Sequence, residues 1–278
     1  MADISSGTVL GVGHDVPHGA GVTWLGHATV LVEVDGARIL TDPLLRSRFL
    51  HVLRRAAPVD VDEARRAIDA VVISHLHWDH ADLASLRAIG VETPVIVPRG
   101  AGTMMRRAGM RNVEELGAGA ALDVGGTRIE ATRANHSGFR PPFGPTAEAN
   151  GYVIGTSQRV YFAGDTGMFA GLDDLRGGVE VALLPVGGWG PTLRGGHLDA
   201  SAAAEAVAIV RPQMALPIHW GTYWPVGVPL GRRFSEPGPR FVKAVSRLTP
   251  EVDARLWSIG VRQPVGRSVT EIEGAAAG

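Results

Sequence analysis

The sequence predicts an α/β chain built in layers, with one domain over residues 1–278. Three observations carry that reading. Short apolar runs rich in β-branched residues alternate with stretches of helical period through most of the chain. The two halves share one plan, strands then helices with polar residues at the strand ends, which suits a pseudo-symmetric sandwich. With 45% hydrophobic and 20% charged residues in 278, there is core material for one large domain, and no linker divides it.

Residues 1–20 are polar and Gly-rich, a loose lead-in or an edge strand around 8–11. The first firm strand covers 22–25. Residues 29–34 alternate Val30, Val32 and Val34 with Leu31 and Glu33, and Asp35-Gly36 turns the chain into a strand over 37–41. Asp42-Pro43 closes it. Residues 44–57 interleave Leu44, Leu45, Phe49, Leu50, Val52 and Leu53 with Arg46, Arg48, Arg54 and Arg55. A basic amphipathic stretch can lie on a membrane surface or bind an acidic partner. A helix or loop packing its Leu face beside the site is favoured, because apolar stripes at such spacing usually face a core.

A short helix over 61–68, capped by Asp60 or Asp62, leads to the apolar strand 70–73. Helices follow over 81–89 and 101–108, with strands over 95–97 and 113–116. Hairpin-like strands return over 124–133 through Gly125-Gly126. The segment 137–150 is a Pro/Gly-rich loop; 151–156 and 159–163 form a hairpin over Ser157-Gln158. A strand over 181–185 opens into the Gly-rich loop 186–196. Asp199 caps a helix over 200–210 that stops at Arg211-Pro212. A strand over 214–217, a helix over 240–248, a terminal strand near 255–259 and a frayed tail over 262–278 complete the chain.

A net charge of −1 implies no bulk attraction to nucleic acid or anionic membrane, and no nucleic-acid partner is expected. Zero Cys removes disulfides and thiolate ligands. The first 21 residues lack the ~7-residue apolar core of a signal peptide. No run approaches the ~18 apolar residues that a spanning helix needs. A cytoplasmic location without a transmembrane segment is the simplest expectation.

The chemistry concentrates just after the strand over 70–73. His75, His77, Asp79 and His80 sit on one strand-to-helix turn. His75 and His77, two apart, leave the same face of extended backbone, while Asp79 and His80 point elsewhere and suit a second ion. Neutral imidazole and carboxylate bind Zn, Mn or Fe, and two such ions ~3.5–4 Å apart form a hydrolytic centre. A structural zinc site is disfavoured, since it wants four closed ligands and usually Cys. Three more ligand types, His136, Asp165 and His219, end predicted strands, each before a Gly/Pro-rich loop. Singly each is a weak signal; together they are what a site on one sheet edge requires.

His75-Leu-His77-Trp-Asp79-His80 resembles the HxHxDH signature of the metallo-β-lactamase superfamily. That resemblance implies a four-layer αββα sandwich with a dinuclear site along one edge of two sheets. It implies that His75, His77 and His136 hold one ion, that Asp79, His80 and His219 hold the other, and that Asp165 touches both. Two divalent ions are therefore expected, zinc favoured, manganese or iron also suiting the ligands. A water between them would lose its proton near neutral pH and act as nucleophile, oriented by Asp79. Asp42 matches a superfamily aspartate that takes a ligating histidine's second N–H, and Asp-Pro is equally a simple turn.

Trp24-Leu-Gly-His27-Ala-Thr, Phe-Ala-Gly-Asp165-Thr-Gly, His197-Leu-Asp199 and Leu-Pro-Ile-His219-Trp-Gly-Thr together resemble the group of L-ascorbate-6-phosphate lactonases and N-acyl-phosphatidylethanolamine phospholipase D. The likeness runs over about 22–240. It makes His27 and His197 catalytic candidates that donate hydrogen bonds to a phosphate or developing oxyanion. Residues 44–57 and 137–149 depart from the relatives' patterns, at places where a pocket would be shaped. The function expected is hydrolysis of a phosphodiester or a lactone/ester bond in a small-molecule or lipid-like substrate. Arg140, Trp189, Tyr223 and Trp224 are the candidate substrate contacts. The family's habit makes a homo-oligomer an expectation. The rival readings are a di-iron redox enzyme and a metal-bound sensor without turnover.

Overall fold

The structure is a computed structural model that describes residues 19–50, 53–56, 60–188 and 195–266. The first sheet begins as an antiparallel meander: β1 (Gly21–Gly26), β2 (Thr29–Val34) and β3 (Ala37–Thr41). It continues in parallel through β6 (Ala70–Val72), β7 (Val95–Pro98) and β8 (Val113–Leu116). The second sheet repeats the plan. The antiparallel strands β9 (Ala121–Val124), β10 (Thr127–Arg133), β11 (Asn150–Ile154) and β12 (Val160–Phe162) come first. The parallel strands β13 (Val181–Pro185), β14 (Met214–Ile218) and β16 (Asp253–Ala254) follow.

Strand parity sets the layers. Val30, Val32, Val34, Ile39 and Val72 point from the first sheet into a core shared with Ile129, Tyr152, Ile154, Phe162, Leu183 and Leu216 of the second. The alternate residues Leu31, Leu40 and Val71 face outward under α1 (Val61–Arg65), α2 (Leu83–Ile89) and α3 (Gly102–Arg107). On the far face, Val153, Tyr161, Ala182 and Leu184 lie under α4 (Ala200–Val210) and, beyond the short α5 (Arg232–Ser235), α6 (Pro237–Leu248). The architecture is the expected four-layer αββα sandwich. Both faces of each sheet are covered, which is why its strands read as near-continuous apolar runs. Among the described residues, no helix is long and apolar enough to cross a membrane.

Two expectations need correction. The described part of residues 48–55 is not a helix or a plain loop: β5 (Leu53–Arg55) pairs with β4 (Arg48–Phe49) on one side and with β15 (Tyr223–Pro225) on the other, in a small third sheet. Leu44, Phe49 and Leu53 do bury themselves, around Tyr223. The terminal strand expected at 255–259 is absent; instead β17 (Arg262–Pro264) pairs with β1, so residues 262–264 belong to the first sheet. Trp257 and Ile259, whose apolar character prompted that expectation, pack on the inter-sheet core from non-strand backbone. The proposed edge strand at 8–11 lies outside the described residues.

Candidate metal centre

Strand ends from both sheets empty into one place. β3 leads into Asp42, β6 into His75–His80, β10 into His136, β12 into Asp165 and β14 into His219, while His27 sits in the turn between β1 and β2. All seven sequence-predicted ligands are brought together there. The ligand atoms of His75, His77 and His136 form one close group, and those of Asp79, His80, His219 and His27 form another.

In the first group, His77 Nδ1 lies 2.9 Å from His75 Nε2 and 3.1 Å from His136 Nε2. Their tautomers follow from outer partners. The Gly196 carbonyl accepts from His136 Nδ1 at 2.6 Å, which leaves the Nε2 lone pair turned inward. Ser74 Oγ donates to Asp42 Oδ2 and lies 2.9 Å from His75 Nδ1, so it can accept that ring's proton. Burial drives the His75 pKa well down and the His136 pKa down to about 4, so both rings are neutral at pH 7. With the Nε2 lone pairs of His75 and His136 both turned toward His77 Nδ1, a single proton on that nitrogen can serve only one of them well. A cation among them resolves the clash, and the donor set suits Zn, Mn or Fe.

In the second group, His80 Nε2 and His219 Nε2 are 3.1 Å apart, and Asp79 Oδ2 lies 3.5 Å from each. Asp165 reaches both of these rings, with Oδ2 3.4 Å from His80 Nε2 and Oδ1 3.5 Å from His219 Nε2. Its Oδ1 is buried without a hydrogen-bond partner, as an oxygen reserved for a cation would be. Burial raises the Asp165 carboxyl, but His219 and His80 outweigh that and hold it well below the usual carboxylate range. Asp79 behaves alike: burial opposes its charge, and His80, His219 and His27 prevail.

The backbone is bent to deliver these groups. His27, Asp42 and His219 all have positive φ, at 55°, 32° and 62°, a conformation that costs a non-glycine residue ~1–2 kcal/mol. The cost is offset locally: His219 N donates to the His27 carbonyl at 2.9 Å, which also accepts from Trp24 Nε1 at 3.0 Å. Gly164, before Asp165, has φ 60°, and a Cβ there would lie 2.5 Å from Ser74. Only glycine lets Asp165 and the Ser74 segment approach this closely.

His27 Nε2 is 2.9 Å from Asp79 Oδ2, buried in the cluster where it also meets the adjoining cavity. His197 Nε2 is 3.5 Å from Asp165 Oδ2, and its side chain keeps 23% of its exposure, so it stands at the half-buried margin of the cluster. Tyr223 and Trp224 line a cavity of about 680 Å3 that also touches His27 and His219. The Tyr223 hydroxyl is occupied with the Leu44 and Arg46 carbonyls, and Trp224 Nε1 donates to Pro229 O. Arg140 points elsewhere, donating to the Leu76 and Ala81 carbonyls. Trp189 lies outside the described residues. Sequence reasoning passed over Ser74 and the Gly196 carbonyl, which orient His75 and His136; a serine and a backbone oxygen carry no motif signal of their own.

A model of the β-lactamase superfamily domain matches residues 37–220. An uncharacterised protein of Mycobacterium tuberculosis is 32% identical over 248 residues, covering 80% of this chain and 65% of that protein, so the chain spans less than two thirds of that relative. A metal-dependent hydrolase of Methanopyrus kandleri is 32% identical over 222 residues, covering 74% and 86%. The N-acyl-phosphatidylethanolamine-hydrolyzing phospholipase D 1 of Caenorhabditis elegans is 33% identical over 230 residues, covering 74% and 64%. Among solved structures, Igni18, a metallo hydrolase from Ignicoccus hospitalis, superposes with a TM-score of 0.66 at 23% identity, covering 90% of this chain and 99% of that one. A domain match across most of the αββα frame, with identities of this level in distant organisms, fixes the lineage: the chain belongs to the β-lactamase superfamily.

Proposed function

We propose that this protein is a dinuclear metal-dependent hydrolase that cleaves a phosphodiester or a lactone/ester bond. The observation that carries this reading is the set of inward-facing ring nitrogens on His75, His77 and His136, with Asp165 alongside and the His80–His219 pair next to it. His75, His77 and His136 would hold one ion, Asp79, His80 and His219 would hold the other, and Asp165 would serve both. Zinc is the favoured metal, with manganese and iron compatible. Two bound divalent ions supply an activated water as nucleophile and neutralise charge developing on the substrate oxygen.

The chain's own residues do the rest. Asp79, held by His27, would orient the attacking water. His197, partly exposed beside Asp165, donates a hydrogen bond to the developing oxyanion or the leaving group. The cavity beside His27 and His219 offers Trp220, Tyr223, Trp224 and Phe234 to an apolar part of the substrate. A phosphodiester is supported by likeness to the nematode phospholipase, and a hydrolytic reaction by likeness to the archaeal hydrolase.

The test combines metal analysis with turnover. Purified protein is expected to carry two divalent ions per chain and to hydrolyse bis(p-nitrophenyl) phosphate or members of a lactone panel, with Asp79→Ala abolishing the reaction. Full activity in Asp79→Ala, or in protein stripped of metal, overturns the proposal. An iron pair seen by EPR, with no hydrolysis, would move the reading to a redox enzyme.

A further inference from the structure

We infer that Arg140 is a positioning residue that locks the His136 segment against the His75–His80 turn, an assignment that rests on the metal-centre reading above. Its Nη1 donates to the Leu76 carbonyl at 2.8 Å and to the Ala81 carbonyl at 3.1 Å. Those two carbonyls bracket the stretch carrying His77, Asp79 and His80. The stretch is itself a single tight turn, closed by Ala81 N donating to His77 O at 2.9 Å and His80 N to the same oxygen at 3.2 Å. One guanidinium therefore grips both ends of the turn that presents three of the proposed ligands.

The other end of the strut is equally fixed. Arg140 lies four residues after His136, in a loop folded on itself: Arg140 N donates to Pro145 O at 3.0 Å, Gly144 N to Arg140 O at 2.8 Å, and Phe139 bridges Thr146. A second attachment runs beside the first. Trp78 Nε1 donates to the Pro141 carbonyl at 2.6 Å, and the Arg140 guanidinium lies 5.0 Å from the centre of the Trp78 ring. Charged donors to carbonyls are the stronger class of hydrogen bond, and stacking on an aromatic face adds to them. The contact of His136 Nε2 with His77 Nδ1, 59 residues apart in sequence, depends on how these two segments are held. A guanidinium committed to two backbone carbonyls and an indole is a support for ligands.

Chelator competition for zinc, with steady-state kinetics on bis(p-nitrophenyl) phosphate, separates this role from substrate binding. Outer partners of metal ligands are worth ~10–100-fold in metal affinity, so Arg140→Ala is expected to bind zinc weaker by about that factor. Arg140→Lys, which keeps a charged donor, is expected to recover part of the loss. KM should hold within about twofold while kcat at limiting zinc falls, the pattern of lost metal rather than lost substrate binding. If Arg140→Ala does not fold, Arg140→Lys and Trp78→Phe carry the comparison, each expected to weaken zinc binding several-fold. Variants that bind zinc as tightly as wild type, or that raise KM with zinc affinity unchanged, overturn the assignment of Arg140 alone. A wild-type protein that binds no divalent ion overturns the metal centre itself, and this role with it.

Discussion

His80 Nδ1 lies 2.6 Å from Asp42 Oδ2, with both side chains fully buried. Asp42 Oδ1 accepts the Ser74 amide at 2.7 Å, and its Oδ2 accepts the Ser74 hydroxyl that faces His75. A single carboxylate thus orients one histidine from each of the two close groups. It does so directly for His80 and through Ser74 for His75. Of the two readings of Asp42-Pro43 left open by the sequence, the carboxylate contact is the one the structure contains.

Replacing that carboxylate by its amide keeps the volume and removes the charge. Asp42→Asn is expected to lower zinc affinity by ~10–100-fold, the usual weight of a carboxylate behind a ligating histidine. Chelator competition measures it. Unchanged affinity would mean that His80 and His75 hold their orientation without Asp42.

The metal-free protein should lose stability as pH falls from 6.5 toward 4. Burial, then His219, push the His27 pKa down to about 3, and burial pushes His136 down to about 4. The unfolded chain takes up these protons near pH 6.5, before the folded one does, so the neutral rings favour folding above 6.5 and the advantage drains away below it. His80 runs the other way. Burial opposes its charge, but Asp165, Asp79 and Asp42 prevail and hold its pKa well above the usual value, so its contribution is complete below 6.5 and fades at higher pH. Denaturant titrations from pH 4.5 to 7 should therefore show stability rising with pH, with His27 alone adding up to ~1.4 kcal/mol per pH unit. His27→Gln should flatten the rise; an unaltered slope would place its origin elsewhere.

Much of this was legible in the chain itself, for physical reasons that differ by residue. His75, His77, Asp79 and His80 share one turn, so their spacing alone shows a shared site. His136, Asp165 and His219 could be placed because each ends a predicted strand before a Gly/Pro-rich loop, where the superfamily pattern matches it. The outer contacts were not legible in the same way. Asp42 meets Ser74 across 32 residues and His27 meets Asp79 across 52, and no local pattern records such approaches. Arg140 looked like a substrate contact because an arginine in a Pro-rich loop near a site carries no mark of its carbonyl partners. The third sheet escaped notice because its strands are two or three residues long, too short for alternation to register.

That small sheet carries its own prediction. Tyr223 packs on Leu44, Phe49 and Leu53 and directs its hydroxyl at the Leu44 and Arg46 carbonyls. Tyr223→Phe removes the hydroxyl and keeps the ring, and should cost ~1–2 kcal/mol of stability while KM stays the same. Leu44→Ala, at a fully buried position, should cost ~2–5 kcal/mol. Urea unfolding measures both. A Tyr223→Phe protein of full stability with a raised KM would make the hydroxyl, and not only the ring, a substrate contact.

His197 offers the cleanest separation of metal holding from catalysis. Its Nε2 is 3.5 Å from Asp165 Oδ2, its ring centre is 4.7 Å from that of His136, and it precedes Asp199, whose carboxylate caps α4 by accepting from Ser201 N and Ala202 N at 2.9 Å each. The cap anchors the backbone beside it, so the ring sits on a fixed base next to the cluster without belonging to the seven proposed ligands. A group placed this way affects the transition state more than the resting site, and loss of one such donor typically costs ~10²–10³-fold in kcat. His197→Ala should therefore keep two divalent ions, melt within a few degrees of wild type, and lose kcat by about that factor with little change in KM. Loss of an ion on this substitution would instead make His197 a ligand, and full activity would remove it from the chemistry.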